Sequence, residues 1–468
     1  MLAVIVGLVM AALGWPVYGA ISPLAGVAFF LLGVISVHLV FSNRFILPFP
    51  HVALYIAILQ YVIAPLLSQR YPPSNPLFEI QPSLPEYLKF AVFAVLASSV
   101  GWALAMVRLR QDNPPPIQAS AELLAGLDAL IFAGVIGGVA GHFPGMGGLG
   151  FFFLLIGKLR YVGVLGRMLC RAPGWPWRLG LVFFMEVLNS TGETMFHDLI
   201  LWSVWTFALW GIIFKPAWWK IGLALVLATL LLPHLQESKW QIRNGLEDFS
   251  GASESGNRVT RWLGYLGKDF VQEVTGDFDA EAWGDTIARY NQGWIISRVM
   301  QHVPEVEPYA RGETIKDALI AAAFPRFIMA NKVIAGGKAN MARFAGMELN
   351  ENTSMNLGYA GEMYANFGYW GGILGCGCYA LLLAAVFRWF YSKALTAPLW
   401  WCVLPYVAFP ALKAEEGLAE VINWIAKAAI VMVLVMLAFP AFRKSLFPAI
   451  GLPSMPRKRR RPKQTGVA

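Results

Sequence analysis

Long apolar segments alternate with short polar loops along most of this 468-residue chain. A helix needs about 20 apolar residues to cross the hydrocarbon core of a bilayer. The pattern therefore predicts an all-α fold, a polytopic integral membrane bundle of about 12 transmembrane helices. The predicted spans are 2–20, 22–41, 51–69, 87–107, 122–140, 147–166, 179–194, 197–214, 217–233, 368–390, 397–412 and 423–441.

One long region breaks this alternation. Residues 234–367 are polar over a length far beyond that of an ordinary loop. Apolar residues recur at helical spacing between positions 279 and 303, which predicts amphipathic helices inside the region. We divide the chain into nine N-terminal spans (1–233), a large loop (234–367), three C-terminal spans (368–441) and a basic tail (442–468).

The composition agrees with a membrane protein. The chain is 57% hydrophobic and only 14% charged, whereas soluble domains carry about 25% charged residues. No phosphate-binding loop or dinucleotide-binding pattern is present, and nothing in the sequence indicates nucleic-acid binding. The four cysteines do not have the spacing of a zinc site, so we expect small buried hydrophobes there. We predict no cofactor and no metal.

Lysine and arginine are concentrated in loops that share one side of the membrane if the helices alternate. Such an excess marks the cytoplasmic side, so we predict both termini in the cytoplasm and the loop 234–367 outside it. The basic positions are Arg44, Arg108, Arg110, Lys158, Arg160, Arg167, Arg171, Arg178, Lys215, Lys220, Arg388, Lys393 and the tail 456–463.

The large loop contains cations suited to a phosphate-bearing ligand. Guanidinium groups present a planar fork to phosphate oxygens and can neutralise a departing diphosphate without metal. The residues alone leave two interpretations open, a binding site for a polyprenyl diphosphate or a solvated, salt-bridged external domain. The candidate cations are Lys239, Arg243, Arg289, Arg298, Arg311, Arg326 and Lys332.

The loop closes on the stretch GYAGEMYANFGYWGG, which begins at Gly358. A carboxylate (Glu362), a phenol (Tyr364) and an amide (Asn366) precede a long apolar run there. A carboxylate beside a sugar hydroxyl can accept its proton, and aromatic rings suit a membrane interface. The alternative is an aromatic belt at a helix start, with Glu362 favourably placed against the helix dipole.

The order RYNQ…VP…PY..GET…PR…K…NTS…G..GEMYANFG..GG resembles the Wzy-like polymerases of bacterial oligosaccharide repeat units. The resemblance covers mainly residues 239–372, and the earlier spans are similar only in pattern. Its most specific parts are Pro325-Arg326 and the closing residues from Gly361 to Gly368. A proline follows the lysine in this family, whereas Val333 follows Lys332 here.

The resemblance implies an integral membrane glycosyltransferase of the bacterial cytoplasmic (inner) membrane that acts on its outer face. Such proteins transfer a glycan from undecaprenyl diphosphate to a new lipid-linked repeat unit, so the implied partners are lipid-linked donor and acceptor and membrane lipid. Whether a chain-length regulator or a flippase also binds stays open.

Carried onto this chain, the resemblance implies Glu362 as proton acceptor and Arg326 as a second catalytic residue. The implied substrate-binding residues are Lys239, Arg243, Arg289, Arg298, Arg311, Lys332, Tyr364 and Asn366.

Two other functions remain alternatives. A ligase would use the same chemistry with a different acceptor. A transporter or flippase of lipid-linked glycan would place charges at the bilayer midplane, whereas most of the charge here lies in the large loop. Two charged segments near predicted spans, 186–198 and 412–427, could pair internally or line the external cavity.

Overall fold

The computed structural model describes residues 1–42, 47–81, 83–106, 117, 119–141, 150–193, 197–223, 280–323, 337–350 and 353–448. Within these ranges the chain is helical and contains no strand. The helices are α1 (Leu2–Tyr18), α2 (Gly26–Ser42), α3 (Phe49–Arg70), α4 (Leu84–Met106), α5 (Ala121–Ala140), α6 (Gly150–Leu169), α7 (Trp175–Glu193), α8 (His197–Phe214), α9 (Ala280–Tyr290), α10 (Gly293–His302), α11 (Glu313–Ala323), α12 (Lys338–Ala345), α13 (Gly358–Ala394), α14 (Trp400–Ala408), α15 (Leu418–Ala438) and α16 (Pro440–Leu446).

Seven described helices are long and apolar enough to cross a membrane, namely α2, α3, α4, α5, α8, α13 and α15. Two shorter apolar helices, α1 and α14 with the turn that continues it to Leu412, accompany them. The prediction of an all-helical membrane protein is confirmed at this level. The number of twelve spans stays a prediction, because most of the segment 217–233 lies outside the described residues.

Helix pairs approach closely at glycines. A Cβ atom on Gly134 of α5 would lie 2.3 Å from the backbone nitrogen of Arg160 in α6. A Cβ atom on Gly101 of α4 would lie 2.3 Å from the carbonyl oxygen of Gly377 in α13. Small residues allow such backbone contact between membrane helices, where van der Waals packing replaces the hydrophobic effect.

Helix α6 lies at the centre of the bundle. Every residue from Gly157 to Met168 is buried, although a helix at the rim of a bundle buries one face only. It packs against α5, α7, α8, α14 and α15. Any charged side chain on this helix must therefore find its partners inside the protein.

Arginines at the helix termini hold one end of the bundle together. The Arg171 guanidinium donates to the carbonyl of Ile213 at the end of α8 (2.7 Å), and Arg388 donates to Ala105 at the end of α4 (2.6 Å). Cations at these positions satisfy carbonyls that have no partner within the helix and oppose the helix dipole favourably. A Cβ atom on Gly166, near the end of α6, would lie 3.4 Å from Leu399 Cδ2, so the end of α6 packs against the residue that precedes α14.

Two residues of the predicted basic loops are placed elsewhere. Lys158 and Arg160 lie in the middle of α6 and are buried. The prediction that they lie in a loop is wrong, because both lie inside α6, within the predicted span 147–166, and are buried in the bundle. Their charge is compensated by acidic side chains of neighbouring helices.

The described part of the large loop packs onto the membrane helices. The stretch 279–303, predicted to be helical, forms α9 and α10 with a break at Asn291, whose amide donates to Ser68 in α3 (3.1 Å). The Trp294 ring of α10 meets Phe78 edge-on at 5.1 Å between centroids. Residues 234–279 and 324–336 of the predicted loop, and 449–468 of the predicted tail, lie outside the described residues.

Helix α13 is interrupted where the tenth span was predicted to begin. Gly368 has φ 71° and ψ −161°, so the helix is divided into a first half, 358–367, and a long second half. A residue with a side chain would be strained at this positive φ. Its Cβ atom would also lie 3.0 Å from Cζ of the Tyr309 ring. The first half of α13 carries the residues of the candidate site.

Candidate functional site

Glu362 is the buried carboxylate of the first half of α13. It is 1% exposed, and its Oε2 accepts a hydrogen bond from the backbone N–H of Leu418 at 2.8 Å. The other oxygen, Oε1, meets no donor at hydrogen-bonding geometry among the residues described, although the Thr314 hydroxyl lies near the carboxylate. A buried carboxylate with one free oxygen is suited to accepting a proton.

The start of α13 is fixed by the segment 413–417, which precedes α15. Gly358 adopts φ 70°, and a Cβ atom there would lie 2.9 Å from the Ala414 carbonyl oxygen. The Tyr359 N–H donates to the same carbonyl at 3.3 Å. Glycine at position 358 therefore permits the close approach that brings Glu362 to Leu418.

Asn366 joins α13 to the start of α11. Its Oδ1 accepts from the Gly312 N–H (2.9 Å), and its Nδ2 donates to the Thr314 hydroxyl (2.7 Å) and to the Glu362 carbonyl (2.8 Å). Asn366 is 1% exposed. In this conformation both amide N–H groups bond to the protein itself, and one lone pair of Oδ1 is the remaining polar capacity of the side chain.

Tyr364 lies near this contact in the interior of the protein, and Arg311 lies near it with an exposed side chain. Tyr364 is buried and meets the Phe90 ring edge-on at 5.1 Å between centroids. The Arg311 N–H donates to the Asn366 carbonyl at 3.0 Å, whereas its side chain is exposed. Arg311 has φ 49°, and this left-handed backbone turns its side chain away from the buried amide network.

The other described cations lie on the neighbouring helices α9 and α10. The Arg298 guanidinium donates to the Leu77 carbonyl at 3.3 Å. Arg289 ends α9, which packs against α3. No contact in the described residues joins either guanidinium to Glu362. The predicted site residues Lys239, Arg243, Arg326 and Lys332 lie outside the described residues.

A chain of buried ion pairs crosses the bundle beside this site. Glu186 of α7 accepts from Arg160 and lies 3.3 Å from the Lys158 ammonium. Lys158 also lies 2.8 Å from Asp198 of α8, and Asp198 lies 3.7 Å from Lys413. We call these five residues the buried ion chain. They connect α6, α7 and α8 to the segment 413–417.

The segment 413–417 is the point where the buried ion chain reaches the surroundings of Glu362. Lys413 pairs with Glu416 at 3.4 Å, and Glu416 accepts from the Asn356 amide at 3.0 Å. His197 Nδ1 lies 3.2 Å from Glu415. Residues of the segment 412–427 pair internally, as Lys413 does with Glu416, and they also pair with the segment 186–198, which the sequence analysis did not predict.

The electrostatics of this segment follow from burial and from opposite neighbours. Burial disfavours the charged form of Lys413, but the surrounding carboxylates, Asp198 first among them, outweigh that effect and raise its pKa. Burial alone would raise the pKa of Glu415, but His197 and Lys413 lower it. Burial raises the pKa of Glu416, with Lys413 opposing the shift and Glu415 adding to it.

Two carboxylates flank Gly417. A Cβ atom on this residue would lie 2.5 Å from Glu420 Oε2 and 3.4 Å from Glu362 Oε2. The missing side chain leaves space for both acidic groups beside the N-terminus of α15, where the helix dipole favours negative charge. Glu362, a residue of α13, is therefore held beside the N-terminus of α15.

Lys427, on α15, was expected to need a partner inside its span. Its ammonium lies over the Phe151 ring, 4.4 Å from the centroid. A cation over an aromatic face is favourable in a desolvated setting. This contact lies on α6 and α15, next to the buried ion chain.

The described residues show no metal cluster, and a small cavity lies near the site. They contain no group of three or more His, Cys, Asp or Glu side chains arranged to hold a metal ion. A cavity of about 20 Å³ next to Ala414 is lined largely by apolar residues and by Tyr359 and Tyr379. That volume suits one water molecule and no sugar.

The sequence contained a signal for the buried ion chain that was assigned to a loop. Lys158 and Arg160 interrupt an otherwise apolar segment, and Glu186 interrupts the next. Ionisable residues inside membrane helices are costly and mark functional or structural pairs. Both cations lie inside the predicted span 147–166, so the span itself marked them as candidates for buried ion pairs.

No protein-family model, curated protein or solved structure matches this chain. The Wzy-like resemblance therefore stands on the motifs in residues 239–372 alone.

Proposed function

We propose that this protein is a membrane glycosyltransferase that polymerises undecaprenyl-diphosphate-linked repeat units into surface polysaccharide, such as O-antigen, capsule or exopolysaccharide. The proposal places it in the bacterial inner membrane, with both termini in the cytoplasm and the first half of α13 on the extracytoplasmic side. The coarser property, a bundle of helices long enough to span a membrane, is the established part.

One observation carries the proposal. Glu362 is buried beside the amide network of Asn366, one oxygen is held by Leu418, and the other oxygen has no donor in the described structure. A general base needs this combination of a fixed orientation and an unoccupied acceptor. The motif GEMYANFG thus places its acidic residue where proton acceptance is chemically reasonable.

The proposed reaction is a single glycosyl transfer. An acceptor sugar hydroxyl attacks the anomeric carbon of the donor glycan, and the bond from that carbon to the diphosphate oxygen breaks. The hydroxyl proton moves to Glu362 Oε1, and the electron pair leaves with undecaprenyl diphosphate. Arginines of the large loop, Arg326 among them, would neutralise that leaving group.

The test compares Glu362→Gln with Glu305→Gln, which changes an exposed glutamate in the same way. Loss of a general base lowers a transfer rate about 100-fold or more. In a strain that depends on the restored gene, Glu362→Gln should yield single repeat units on the lipid A-core or carrier, and Glu305→Gln should yield the full ladder. A full ladder from both variants, at equal protein level, would remove Glu362 from the mechanism.

The same gel separates polymerase from ligase. A ligase variant would leave long polymer on the lipid carrier, because chain growth precedes attachment. Single units that are nevertheless attached indicate loss of polymerisation.

A second candidate, transport of a lipid-linked glycan, is favoured by one observation. The buried ion chain carries charge in the middle of α6 and α7, as expected of a transport pathway. Proteoliposomes containing a labelled lipid-linked oligosaccharide distinguish the two. Movement of label between leaflets without a change in glycan length, abolished in Lys158→Met and retained in Glu362→Gln, would favour transport.

A further inference from the structure

The π-helical turn Leu59–Ile63 of α3 lies next to the candidate site. Pro65 follows it and has no N–H, so one preceding carbonyl loses its partner within the helix. The Gln60 carbonyl accepts instead from the Gln292 N–H (3.1 Å), and the Tyr61 carbonyl accepts from the Tyr87 hydroxyl (2.7 Å). Turns of this kind insert one residue and re-aim the side chains near functional sites.

The re-aimed side chain is Tyr61. It is fully buried, and its hydroxyl donates to the carbonyl of Ala414. That carbonyl also accepts from the Tyr359 N–H and lies against Gly358. The start of α13 and the turn of α3 therefore both bind the segment 413–417 at the carbonyl oxygen of Ala414.

The far end of this segment holds the candidate base. Ala414 is followed within four residues by Leu418, whose N–H donates to Glu362 Oε2. Only residues 415–417 separate Ala414 from Leu418. The hydrogen bond from Tyr61 to Ala414 and the hydrogen bond from Leu418 to Glu362 therefore lie at the two ends of one short stretch of backbone.

We infer that Tyr61 is a positioning residue for Glu362, acting through the segment 413–417. The inference rests on the role of Glu362 in the proposed function. The side chains of the segment are held by other groups: Lys413 pairs with Asp198, Glu415 with His197, and Glu416 accepts from Asn356, while Glu420 lies beside Gly417. Tyr61 binds the backbone of the segment at the Ala414 carbonyl.

The test removes that hydroxyl with Tyr61→Phe. The matched control is Tyr18→Phe, which removes a similar bond from a buried tyrosine hydroxyl to the Ala11 carbonyl in α1 (2.8 Å). A hydrogen bond contributes about 1 kcal/mol, and 1.4 kcal/mol is a factor of ten in rate. Tyr61→Phe should therefore lower kcat about fivefold and leave KM within about twofold.

A second readout does not depend on activity. Hydrogen–deuterium exchange, measured on overlapping peptides across residues 413–420 that resolve the Leu418 amide, reports this hydrogen bond. Exchange of the Leu418 amide should be about fivefold faster in Tyr61→Phe than in wild type and unchanged in Tyr18→Phe. Where Tyr61→Phe yields no folded protein, Tyr87→Phe loosens the same turn and should give a smaller change in the same direction.

The outcomes are distinct. Unchanged exchange at Leu418 in folded Tyr61→Phe overturns the inference, whatever the activity. A drop in kcat equal to that of Tyr18→Phe also overturns it, because the effect is then general. Faster exchange at Leu418 in a protein whose wild type transfers no glycan keeps the structural coupling and refutes the proposed function.

Discussion

Two regions of this protein place one carboxylate between two cations, with different surroundings. Glu186 lies between Lys158 and Arg160 in the middle of the bundle, and its side chain is 3% exposed. Asp128 accepts from Arg167 (2.8 Å) and Arg178 (2.9 Å), and its side chain is 40% exposed. The same arrangement therefore occurs in the dry interior and at a carboxylate that is partly exposed to solvent.

The difference shows that burial, more than pairing, decides what such a group does. Near the surface, water replaces a lost partner, so an ion pair contributes little to stability. In the interior the lost partner leaves an uncompensated charge, which is strongly destabilising. The exposed group around Asp128 fixes helix termini, whereas the group around Glu186 extends through Asp198 toward the candidate site.

The largest expected effect tests this comparison directly. Glu186→Leu leaves Arg160 buried without an acidic partner and should destabilise the protein by about 3–5 kcal/mol. Asp128→Leu leaves Arg167, which is 5% exposed, with its bonds to the Leu124 and Pro173 carbonyls, so it should cost less than Glu186→Leu, about 1–3 kcal/mol. Denaturation of both variants in detergent micelles measures the difference. Equal losses would show that the interior around Glu186 is hydrated.

The sequence predicted the class of fold and a helix start that carries Glu362, but it did not predict the buried ion chain. Apolar length alone predicts helices, and the motif around Glu362 predicts a helix start with an acidic group. The pairing of Lys158 with Asp198 depends on how α6 packs between its neighbours, which no local pattern encodes. The contact of Glu362 with Leu418 joins residues 56 positions apart, so only the tertiary structure reveals it.

A second prediction sharpens the comparison by displacing Arg160 without removing its charge. A Cβ atom on Gly138 would lie 2.8 Å from Arg160 Nη1. Gly138→Ala should push the guanidinium away from Glu186 and cost about 1–3 kcal/mol. Gly180→Ala is the control, because no atom lies within 4 Å of its Cβ position. Alanine gains helix propensity there, so unfolding in detergent should show a neutral or slightly stabilised protein.

A third prediction concerns pH at the outer end of the ion chain. Burial raises the pKa of Glu416 above its ordinary value of 4.5, so the folded state holds its proton to higher pH than the unfolded state does. This contribution to stability is present below pH 4.5 and is lost as pH rises through the raised pKa. Glutamine imitates the protonated form at every pH.

Glu416→Gln should therefore gain in unfolding temperature relative to wild type as pH rises from about 4.5 toward neutrality, with each unit of pKa shift worth about 1.4 kcal/mol. Thermal unfolding in detergent across that range measures the gain. Glu348→Gln, an exposed change of the same kind, should track wild type. A gain that shrinks with rising pH would mean that the pair with Lys413 outweighs burial.

The smallest effect is expected at the helix termini. The exposed Arg388 donates to the Ala105 carbonyl at the end of α4, where water can replace the guanidinium. Arg388→Gln keeps a hydrogen-bond donor and loses the charge that opposes the helix dipole, which costs about 0.3–1 kcal/mol. Because an exposed charge is screened, the loss should shrink further between low and high salt. A loss of the size expected for Glu186→Leu, or one that salt does not change, would place Arg388 in a dry environment and remove the distinction between the two regions.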